Sequence, residues 1–490
     1  GVHWTSGIEV GLRLIAWTWI RRLLDGWDGV HDLFDDNDVA VRQVYWHQEY
    51  LAAFRSGGSS ANNHVIAEAA GHLVACCAMP WFEESARWRD EACELLQREA
   101  VANTFASGVN RELASEYHVF VAELLYLAAL ESERAGIELG DATWTAICSM
   151  TDAAAALVDA AGRPPRQGDG DDGRALLLDG PDADRWSGLL AIGARVFEPR
   201  AWWPQPVPTV LSTLVGSMSR VPRRRPSRPK RRPSHFADAG ITLLRTPASS
   251  SLPELWCRAD GGPHGFLSTA AHAHADALSI EVRHGGVEIL ADPGTYCYHG
   301  DAAWRSHFRS TIAHNTIELG GRDQSRSGGP FLWVRHARTR VLDVLTGPDG
   351  EIDSWTAEHD GYANLDPPAI HRRSARLDHR GRRFDIVDVI DTEGRHPLRL
   401  AFLLGPDVDA GPIASGCAID LTWPSAGSIA SATLQLPDTL RWEIHRGEVD
   451  PILGWYSPAF GVKQPATAIV GVGTSTAPSR RLESALVFHD

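Results

Sequence analysis

The densest group of residues able to do chemistry is His272-Ala-His-Ala-Asp276. In a β-strand side chains alternate between two faces, so His272, His274 and Asp276 would share one face. Two imidazoles and a carboxylate placed in this way could bind a divalent metal or transfer protons. A polar strand edge with hydrogen-bonded histidines is the alternative interpretation.

Further polar residues follow in Asp292-Pro-Gly-Thr-Tyr-Cys-Tyr298, Arg305-Ser-His-Phe-Arg309 and His314-Asn315. Asp292 ends the second strand of a predicted hairpin whose turn is His284-Gly-Gly-Val287. A regular two-residue hairpin would place Asp292 opposite Ser279. Joining Asp292 to His274 at one metal therefore requires a bend that the register alone does not supply.

The amino-terminal half offers two smaller polar groups, each at the start of a predicted helix. They are Asn62-Asn-His64 and Glu112-Leu-Ala-Ser-Glu-Tyr117-His118. Asn62 is a typical N-cap residue, and Tyr117 could lie between the core and water as an amphipathic side chain. Taken by themselves, the residues favour a structural role at both places.

Apolar residues recur at steps of three and four up to about residue 215, which indicates helices. The predicted helices are Ile8–Leu24, Val39–Phe54, Val65–Cys77, Ala86–Phe105, Leu113–Ala135 and Thr143–Ala161. Asn62, Ser85 and Asp141 provide start signals for three of them. Short turns between consecutive helices favour antiparallel packing.

From Phe236 onward the pattern changes to short alternating runs, which indicate strands. The predicted strands are Gly240–Arg245, Ala277–Arg283, Glu288–Ala291, Phe331–Val334, Arg383–Val389, Leu398–Leu403, Thr433–Leu436 and Ala468–Val472. Helices followed by strands predict an all-α domain and then an all-β domain. Many antiparallel strands without helices favour a sandwich.

A stretch dense in proline and arginine, Val221–Ser234, separates the two patterns. It predicts a solvated linker between domains, with a basic patch for nucleic acid or a polyanion as the alternative. The predicted organisation is a helical domain at 1–215, a linker at 216–235 and a β domain at 236–490.

The composition restricts the possible functions. A formal net charge of −15 over 490 residues argues against a nucleic-acid binder. A polyanionic substrate would need cationic groups concentrated in one cleft. No apolar run reaches the roughly 20 residues that span a membrane. The seven cysteines contain no CxxC pair, so neither a disulfide framework nor a cysteine zinc site is predicted. A start at Gly1, without Met or a signal peptide, indicates a processed or truncated product.

Eight motifs, taken in order, resemble the heparinase II/III family and its alginate-lyase relatives. They are Trp4–Arg13, Asn62–His64, Glu112 with Tyr117-His118, Phe236–Arg245, His272–Asp276, Asp292–Tyr296, Arg305–Arg309 and His314–Thr316. The resemblance implies an incomplete (α/α) toroid followed by an antiparallel β-sandwich. It also implies a bacterial polysaccharide lyase that could form a homodimer. The family resemblance predicts a periplasmic or secreted protein, with a cytoplasmic one as the alternative because the sequence shows no signal peptide.

The same resemblance implies roles for individual residues. Asn63 and His64 would neutralise a uronate carboxylate, Tyr117 and His272 would be catalytic, and His274, Asp292 and His314 would bind a structural zinc ion. Substrate-binding roles would fall to Glu9, Arg13, Asn62, Glu112, Tyr298, Arg305 and Arg309. Some family members carry Glu three residues after the histidine of the first helix motif, where this chain has Ala67. The subfamily and the substrate therefore stay open.

These residue types suit β-elimination at a uronic acid. The C5 proton is weakly acidic, and hydrogen bonds from Asn63 and His64 would stabilise charge developing on the carboxylate. Tyr117 or His272 would remove the proton, and Tyr117 would protonate the C4 oxygen. Tyr117 can be the base only if positive groups lower its pKa from about 10. The elimination is syn if Tyr117 does both jobs and anti if His272 is the base.

Two other functions fit the same sequence. A zinc-dependent glycan hydrolase would use the metal to activate water and would need an open coordination position. A carbohydrate-binding or exopolysaccharide-assembly protein would have the fold without the activity. Asn63, His64 and Tyr117 come from the helical half and His272 from the β half, so neither half alone is expected to hold a complete site. The expected partner is an acidic polysaccharide or oligosaccharide, with heparan-like glycosaminoglycan, alginate and exopolysaccharide all open.

Overall fold

The computed structural model describes residues 6–180, 183–219, 222–223, 228–247, 252–347, 350–425 and 427–489. Trp4 and Thr5 of the first motif, and part of the predicted linker, lie outside these residues. The chain forms two compact units. Unit 1 comprises Gly1–Glu112, Glu116–Ala156 and Gly173–Arg232, and unit 2 comprises Leu113–Ser115, Leu157–Asp172 and Pro233–Asp490.

Unit 1 is helical. Its helices are α1 (Gly7–Leu23), α2 (Val30–Leu33), α3 (Asp38–Ala53), α4 (Asn63–Ala78), α5 (Ser85–Ala102), α6 (Ser115–Arg134), α7 (Asp141–Leu157), α8 (Arg185–Val196) and α9 (Val210–Ser217). All six predicted helices are confirmed. The helices α2, α8 and α9 were not predicted because they are short. Among the described residues, no helix is both long and apolar enough to cross a membrane.

Helix α4 is largely buried, and it approaches α1 closely at two glycines. A Cβ atom on Gly71 would lie 2.3 Å from the carbonyl oxygen of Gly11. Only glycine therefore allows the two backbones to come together here. Because α4 begins with Asn62-Asn-His64, this packing also fixes the position of that motif.

Unit 2 is built mainly from antiparallel strands. They are β1 (His235–Phe236), β2 (Ile241–Arg245), β3 (Leu255–Asp260), β4 (Ile280–His284), β5 (Val287–Leu290), β6 (Ile317–Leu319), β7 (Arg326–Gly329), β8 (Leu332–Arg335), β9 (Thr339–Leu345), β10 (Ile352–His359), β11 (Ala369–Asp378), β12 (Arg383–Thr392), β13 (Pro397–Leu403), β14 (Asp409–Ala410), β15 (Ala418–Ser425), β16 (Ser428–Gln435), β17 (Arg441–Arg446), β18 (Glu448–Val449), β19 (Ile452–Leu453), β20 (Trp455–Ala459), β21 (Val462–Pro465), β22 (Thr467–Thr474) and β23 (Ser479–Phe488). One helix, α10 (Ala302–Phe308), precedes β6.

The strands form three larger sheets around one core. Their orders are β1-β2-β3-β4-β5, β14-β15-β16-β23-β12-β11-β10-β9 and β17-β22-β13-β6. Burial alternates along β10, β11 and β12, as expected for strands with one face towards the core. Leu244, Ile280, Trp355, Ile386 and Phe402 bring the sheets together in that core. The predicted strands are confirmed, although β4 starts at Ile280 instead of Ala277.

His272–Asp276 does not lie in a strand, so the condition under which its three polar side chains would share one face is not met. The segment forms turns, and Leu278 has φ 60°. Its backbone hydrogen bonds are not those of a β-ladder. The Ala275 N–H donates to Arg309 O at 2.9 Å, and the Ser279 N–H donates to Asp276 O at 2.8 Å. Strand alternation therefore does not decide where these side chains point.

Part of the predicted linker is not solvated. Arg228 is 9% exposed, and its Nε and Nη2 each donate to the Asp152 carboxylate of α7 at 2.8 Å. The contact-defined boundary lies between Arg232 and Pro233. The segment 157–172, which the sequence analysis placed in the helical domain, belongs to unit 2.

A buried ion pair ties β11 to β12. Arg373 is 0% exposed and donates to Asp388 at 2.7 and 3.0 Å. Its Nη1 also donates to the carbonyl oxygens of Leu278 and Asn315. Arg373 therefore also holds the backbone at Leu278 and at Asn315, which are close in sequence to His274 and His314.

We expect Asp388→Ala to lower the free energy of unfolding by about 3–5 kcal/mol, because it leaves the Arg373 charge buried without its partner. Asp385→Ala is the matched control on the same strand, since Asp385 pairs with Arg376 and Arg383 on the outer, half-exposed face. That change should cost about 1 kcal/mol or less. Urea unfolding measures both, and equal losses would contradict the account.

Candidate active site

The Asn62-Asn-His64 motif starts α4, and Asn62 is confirmed as its N-cap. The Asn62 side-chain oxygen accepts from the His64 backbone N–H at 3.2 Å. Asn63 is 1% exposed, whereas His64 is half-buried. The cap fixes the first turn of α4, and with it the direction in which both side chains leave the helix.

Asn63 is held by Glu112. The Asn63 backbone N–H donates to Glu112 Oε1 at 3.0 Å, and Nδ2 donates to Oε2 at 2.8 Å. Because a carboxylate only accepts, the amide must turn its NH2 group towards Glu112. Glu112 thus orients Asn63, and its own contact with substrate stays a prediction.

Glu112 is itself held by residues behind it. Its backbone N–H donates to Asn110 Oδ1 at 3.0 Å, and the Asn110 N–H donates to His118 Nδ1 at 3.2 Å. The opposite nitrogen of His118 donates to Met150 O at 3.0 Å. The ring must therefore be neutral, and burial lowers the pKa of His118 to about 4.

This chain of bonds makes the stability of the protein depend on pH. His118 stays neutral in the folded state down to about pH 4, whereas an unfolded chain protonates it near pH 6.5. The unfolded state binds more protons between these values, so the free energy of unfolding decreases as the pH is lowered from about 6.5 to about 4, by up to about 1.4 kcal/mol per pH unit. His118→Gln should remove this part of the slope in urea unfolding. His31→Gln, at an exposed histidine, controls for loss of an imidazole, and an unchanged slope in His118→Gln would contradict the account.

The remaining expected residues of unit 1 lie on α1 and α6. Glu9 is exposed in the first turn of α1. Arg13 donates from Nε to Nε2 of His47 at 3.1 Å, and burial lowers the pKa of His47 to about 4, so the accepting ring is neutral. Tyr117 is 7% exposed in the first turn of α6, and its ring meets Phe120 edge-on at 6.5 Å. Their catalytic and substrate-binding roles stay predictions.

In unit 2, His274, Asp292 and His314 come together as a possible metal site. One ligand atom from each lies within 4.8 Å of the others, and their exposures are 1%, 2% and 0%. The bend that joins Asp292 to His274 has two sources. The turn before Ile280 removes His274 from the strand, and a β-bulge at Val282/Arg283 shifts the hairpin register.

The hydrogen bonds around the three residues fit a bound cation. His314 Nδ1 donates to Ser310 O at 2.7 Å, and His274 Nε2 donates to an Asp169 oxygen at 3.1 Å. The other two ring nitrogens, both unprotonated in these tautomers, face each other at 3.2 Å. Asp292 Oδ2 has no hydrogen-bond partner among the described residues, and it lies 3.6 Å from Arg258 Nη2 and 3.8 Å from His314 Nε2. Two nitrogen lone pairs and a carboxylate oxygen are ordinary zinc ligands.

Asp169 is a buried residue of this site that no sequence pattern predicted. It is 0% exposed, and its carboxylate accepts from His274, from His272 Nδ1 at 3.3 Å and from Arg305 Nη2 at 2.6 Å. Burial alone would raise the pKa of Asp169, but the Arg305 charge and the hydrogen bonds lower it well below its usual value. The only sequence signal is an aspartate between two glycines, Gly168 and Gly170, in a segment without periodicity.

His272 is thereby given one tautomer. Since Nδ1 donates to Asp169, Nε2 carries the lone pair and can accept a proton. The ring is 7% exposed, with Phe331 at 6.1 Å and Tyr298 at 6.4 Å between ring centres. This arrangement suits a general base held in a fixed orientation.

The two expected substrate-binding arginines are buried within unit 2. Arg305 stacks on Tyr298 at 5.0 Å and donates to Pro330 O as well as to Asp169. Arg309 lies over Trp333 at 4.3 Å and donates to Gly329 O at 3.0 Å. Both are 3% exposed, so the structure gives them positioning contacts, and their contact with substrate stays a prediction.

Asp276 does not join the metal triad. Burial, together with the neighbouring Asp260, raises the pKa of Asp276 well above its usual value. Its carboxyl group belongs to an acidic cluster around Arg258, which also includes Asp292 of the triad. The three alternating residues of the first motif therefore have different surroundings, with only His272 and His274 sharing Asp169.

Comparisons with known proteins agree with this architecture. The family model "Heparinase II/III N-terminus" matches residues 33–153, and "Heparinase II/III-like, C-terminal" matches residues 228–484. The chain is similar to heparan sulfate lyase HepC from Pedobacter heparinus, with TM-score 0.67 and 18% identity over 99% of this chain and 68% of that one. Heparinase III gives TM-score 0.71 and 15% identity over 98% and 69%. A search of curated proteins found no match.

At these identities the solved structures show the fold alone, and they confirm a helical toroid followed by an antiparallel β-sandwich. The assignment of this chain to a family depends on the matches to the family models. The C-terminal model by itself matches more than half of the chain. The protein therefore belongs to the heparinase II/III-like family of polysaccharide lyases.

Proposed function

We propose that this protein cleaves a uronic-acid-containing polysaccharide by β-elimination and leaves a 4,5-unsaturated uronate. The observation that carries this proposal is the His272–Asp169 pair. Asp169 accepts from His272 Nδ1, which leaves Nε2 as the basic nitrogen that proton abstraction needs.

Asn63 and His64 neutralise the uronate carboxylate. When the C5 proton leaves, negative charge moves onto the carboxylate oxygens, and donors already in place stabilise it without reorganising. Asn63 meets this requirement because Glu112 fixes its amide by two hydrogen bonds. The His64 backbone is fixed in the same turn by Asn62.

Tyr117 protonates the C4 oxygen as the C4–O bond breaks, and either Tyr117 or His272 removes the C5 proton. The two routes differ in stereochemistry. Inverting C5 moves its proton to the other face of the sugar while the C4 oxygen stays, so syn elimination accepts one C5 epimer and anti elimination the other. Loss of activity on a single epimer in His272→Ala would identify His272 as the base for that epimer.

His274, Asp292 and His314 would hold a zinc ion as a scaffold. A bound cation would fix His274, and His272 lies two residues earlier in the same turn. The three ligands are almost fully buried, and this limited access of solvent favours a structural role over activation of water for hydrolysis.

Incubation with a panel of uronate polysaccharides tests the function. Heparan-type chains come first because the solved relatives are described as a heparan sulfate lyase and a heparinase III, and alginate follows. We expect ultraviolet absorbance from the unsaturated uronate to rise with at least one of them. Absence of this product across the panel would contradict the proposed function.

A further inference from the structure

The Asp169 carboxylate contacts His272, His274 and Arg305 of the unit 2 site, and it lies outside every motif that the sequence indicated. We infer that Asp169 is a positioning residue that fixes the candidate base His272 and the candidate metal ligand His274 with one carboxylate. This inference deepens the proposed function and rests on it for the role of His272.

The backbone around Asp169 is tied to the same residues as its side chain. The Asp169 N–H donates to the carbonyl oxygen of His272 at 2.9 Å. The next N–H, from Gly170, donates to Thr295 Oγ1 at 3.1 Å. Thr295 lies three residues after Asp292. The backbone at Asp169 and Gly170 is therefore hydrogen-bonded both to the segment that contains His272 and His274 and to the segment that contains Asp292.

Glycine is required immediately before Asp169. Gly168 has φ 63°, and a Cβ atom there would lie 2.8 Å from the His272 carbonyl oxygen. Only glycine adopts this conformation without strain and leaves room for the His272 backbone. The backbone at Gly168 therefore packs closely against the turn that contains His272 and His274.

The two carboxylate oxygens divide the donors between them. Oδ1 accepts from His274 Nε2 and Thr295 Oγ1, and Oδ2 accepts from His272 Nδ1. Arg305 donates to both oxygens. An asparagine could not replace this group, because its amide nitrogen cannot accept and would face ring N–H and guanidinium donors.

One carboxylate therefore sets two tautomers. With Nε2 protonated, His274 offers Nδ1 to the metal, and with Nδ1 protonated, His272 offers Nε2 to the substrate. If Asp169 were lost, either ring could move its proton to the other nitrogen. His274 would then lose its ligand atom and His272 its basic one, although neither residue had been changed.

The test compares Asp169→Asn with Asp172→Asn, a matched change at an exposed position in the same segment. Zinc alone is titrated into chelator-treated full-length protein. We expect Asp169→Asn to weaken zinc binding by about 10–100-fold, and Asp172→Asn to bind as the wild type does. Equal affinities in the two variants, or a wild type that does not bind zinc, would overturn the inference.

A spectroscopic readout separates this inference from the proposed function. Nitrogen NMR of histidine-labelled protein, assigned with His272→Gln, should show His272 protonated on Nδ1 in the wild type and no longer so in Asp169→Asn. A wild-type ring protonated on Nε2 would overturn the inference. If both readouts hold and yet no polysaccharide is cleaved, the proposed function fails and the positioning role stands.

Kinetics give the third readout. With zinc saturating, Asp169→Asn should lower kcat by on the order of 10²-fold or more with little change in KM, because the base is misoriented while substrate contacts remain. Asp169→Glu keeps the charge on a longer side chain and should recover part of the zinc affinity and of kcat. If Asp169→Asn does not fold, Asp169→Glu carries the test, and wild-type zinc affinity together with wild-type kcat in that variant would overturn the inference.

Discussion

Tyr117→Phe is expected to lower kcat for formation of the unsaturated product by roughly 10²–10⁴-fold, the usual contribution of a general acid or base. The change removes only the phenolic hydroxyl, which protonates the C4 oxygen in the proposed mechanism. The ring, which packs against Phe120, is kept, so the protein should stay folded.

Tyr45→Phe is the matched control for this experiment. Tyr45 lies on α3 of the same unit, and its hydroxyl donates to Glu84 at 3.4 Å, away from the proposed chemistry. It should keep the wild-type kcat. A Tyr117→Phe variant with full activity would remove Tyr117 from the mechanism.

The double variant His274→Ala, Asp292→Ala is expected to lose the bound metal and the stability that the metal provides. A ligand present at a thousand times its Kd stabilises the folded state by about 4 kcal/mol. Adding zinc should therefore raise the unfolding midpoint of chelator-treated wild type and leave that of the double variant unchanged. Activity should fall as well, because His272 sits in the turn that His274 anchors.

His299→Ala controls for loss of a histidine close to the same loop, at an exposed position. It should bind zinc and respond to it as the wild type does. Elemental analysis that finds no metal in purified wild type, combined with no response to added zinc, would contradict the metal site.

The parts of the fold set by local sequence were predicted well. The apolar period along α4 and the alternation along β12 depend on residues close in the chain, and both elements lie where predicted. The His284–Val287 turn was also predicted, because Gly285 and Gly286 supply the positive φ angles, 56° and 88°, that a tight hairpin needs.

The site was harder to predict because tertiary contacts build it. Polar residues and alanines alternate in His272–Asp276, as they would along a strand. The backbone of this segment is nevertheless hydrogen-bonded to Arg309 and, through Asp276 O, to Ser279 within a turn. Asp169 reaches His272 and Arg305 from more than a hundred residues away. Periodicity carries no information about such pairings, so a lone aspartate between glycines gives no local signal of its role.

The partners of Arg305 and Arg309 could not be predicted from the sequence either. The family resemblance implied that Arg305 and Arg309 bind substrate, and such residues would also reconcile the net charge with an acidic polymer. The structure gives each of them buried partners in unit 2, and their contact with substrate stays a prediction. A sequence shows that a positive charge is present, but its first partner is decided by folding.

The most direct test of the lyase assignment is the mass of the products formed in water labelled with heavy oxygen. β-Elimination splits the chain without adding water, so the fragment masses should sum to that of the substrate, with one unsaturated end and no label per cleavage. Hydrolysis would add one labelled oxygen at each cleavage. Unlabelled, unsaturated products are the result predicted here, and labelled, saturated products would contradict the lyase assignment.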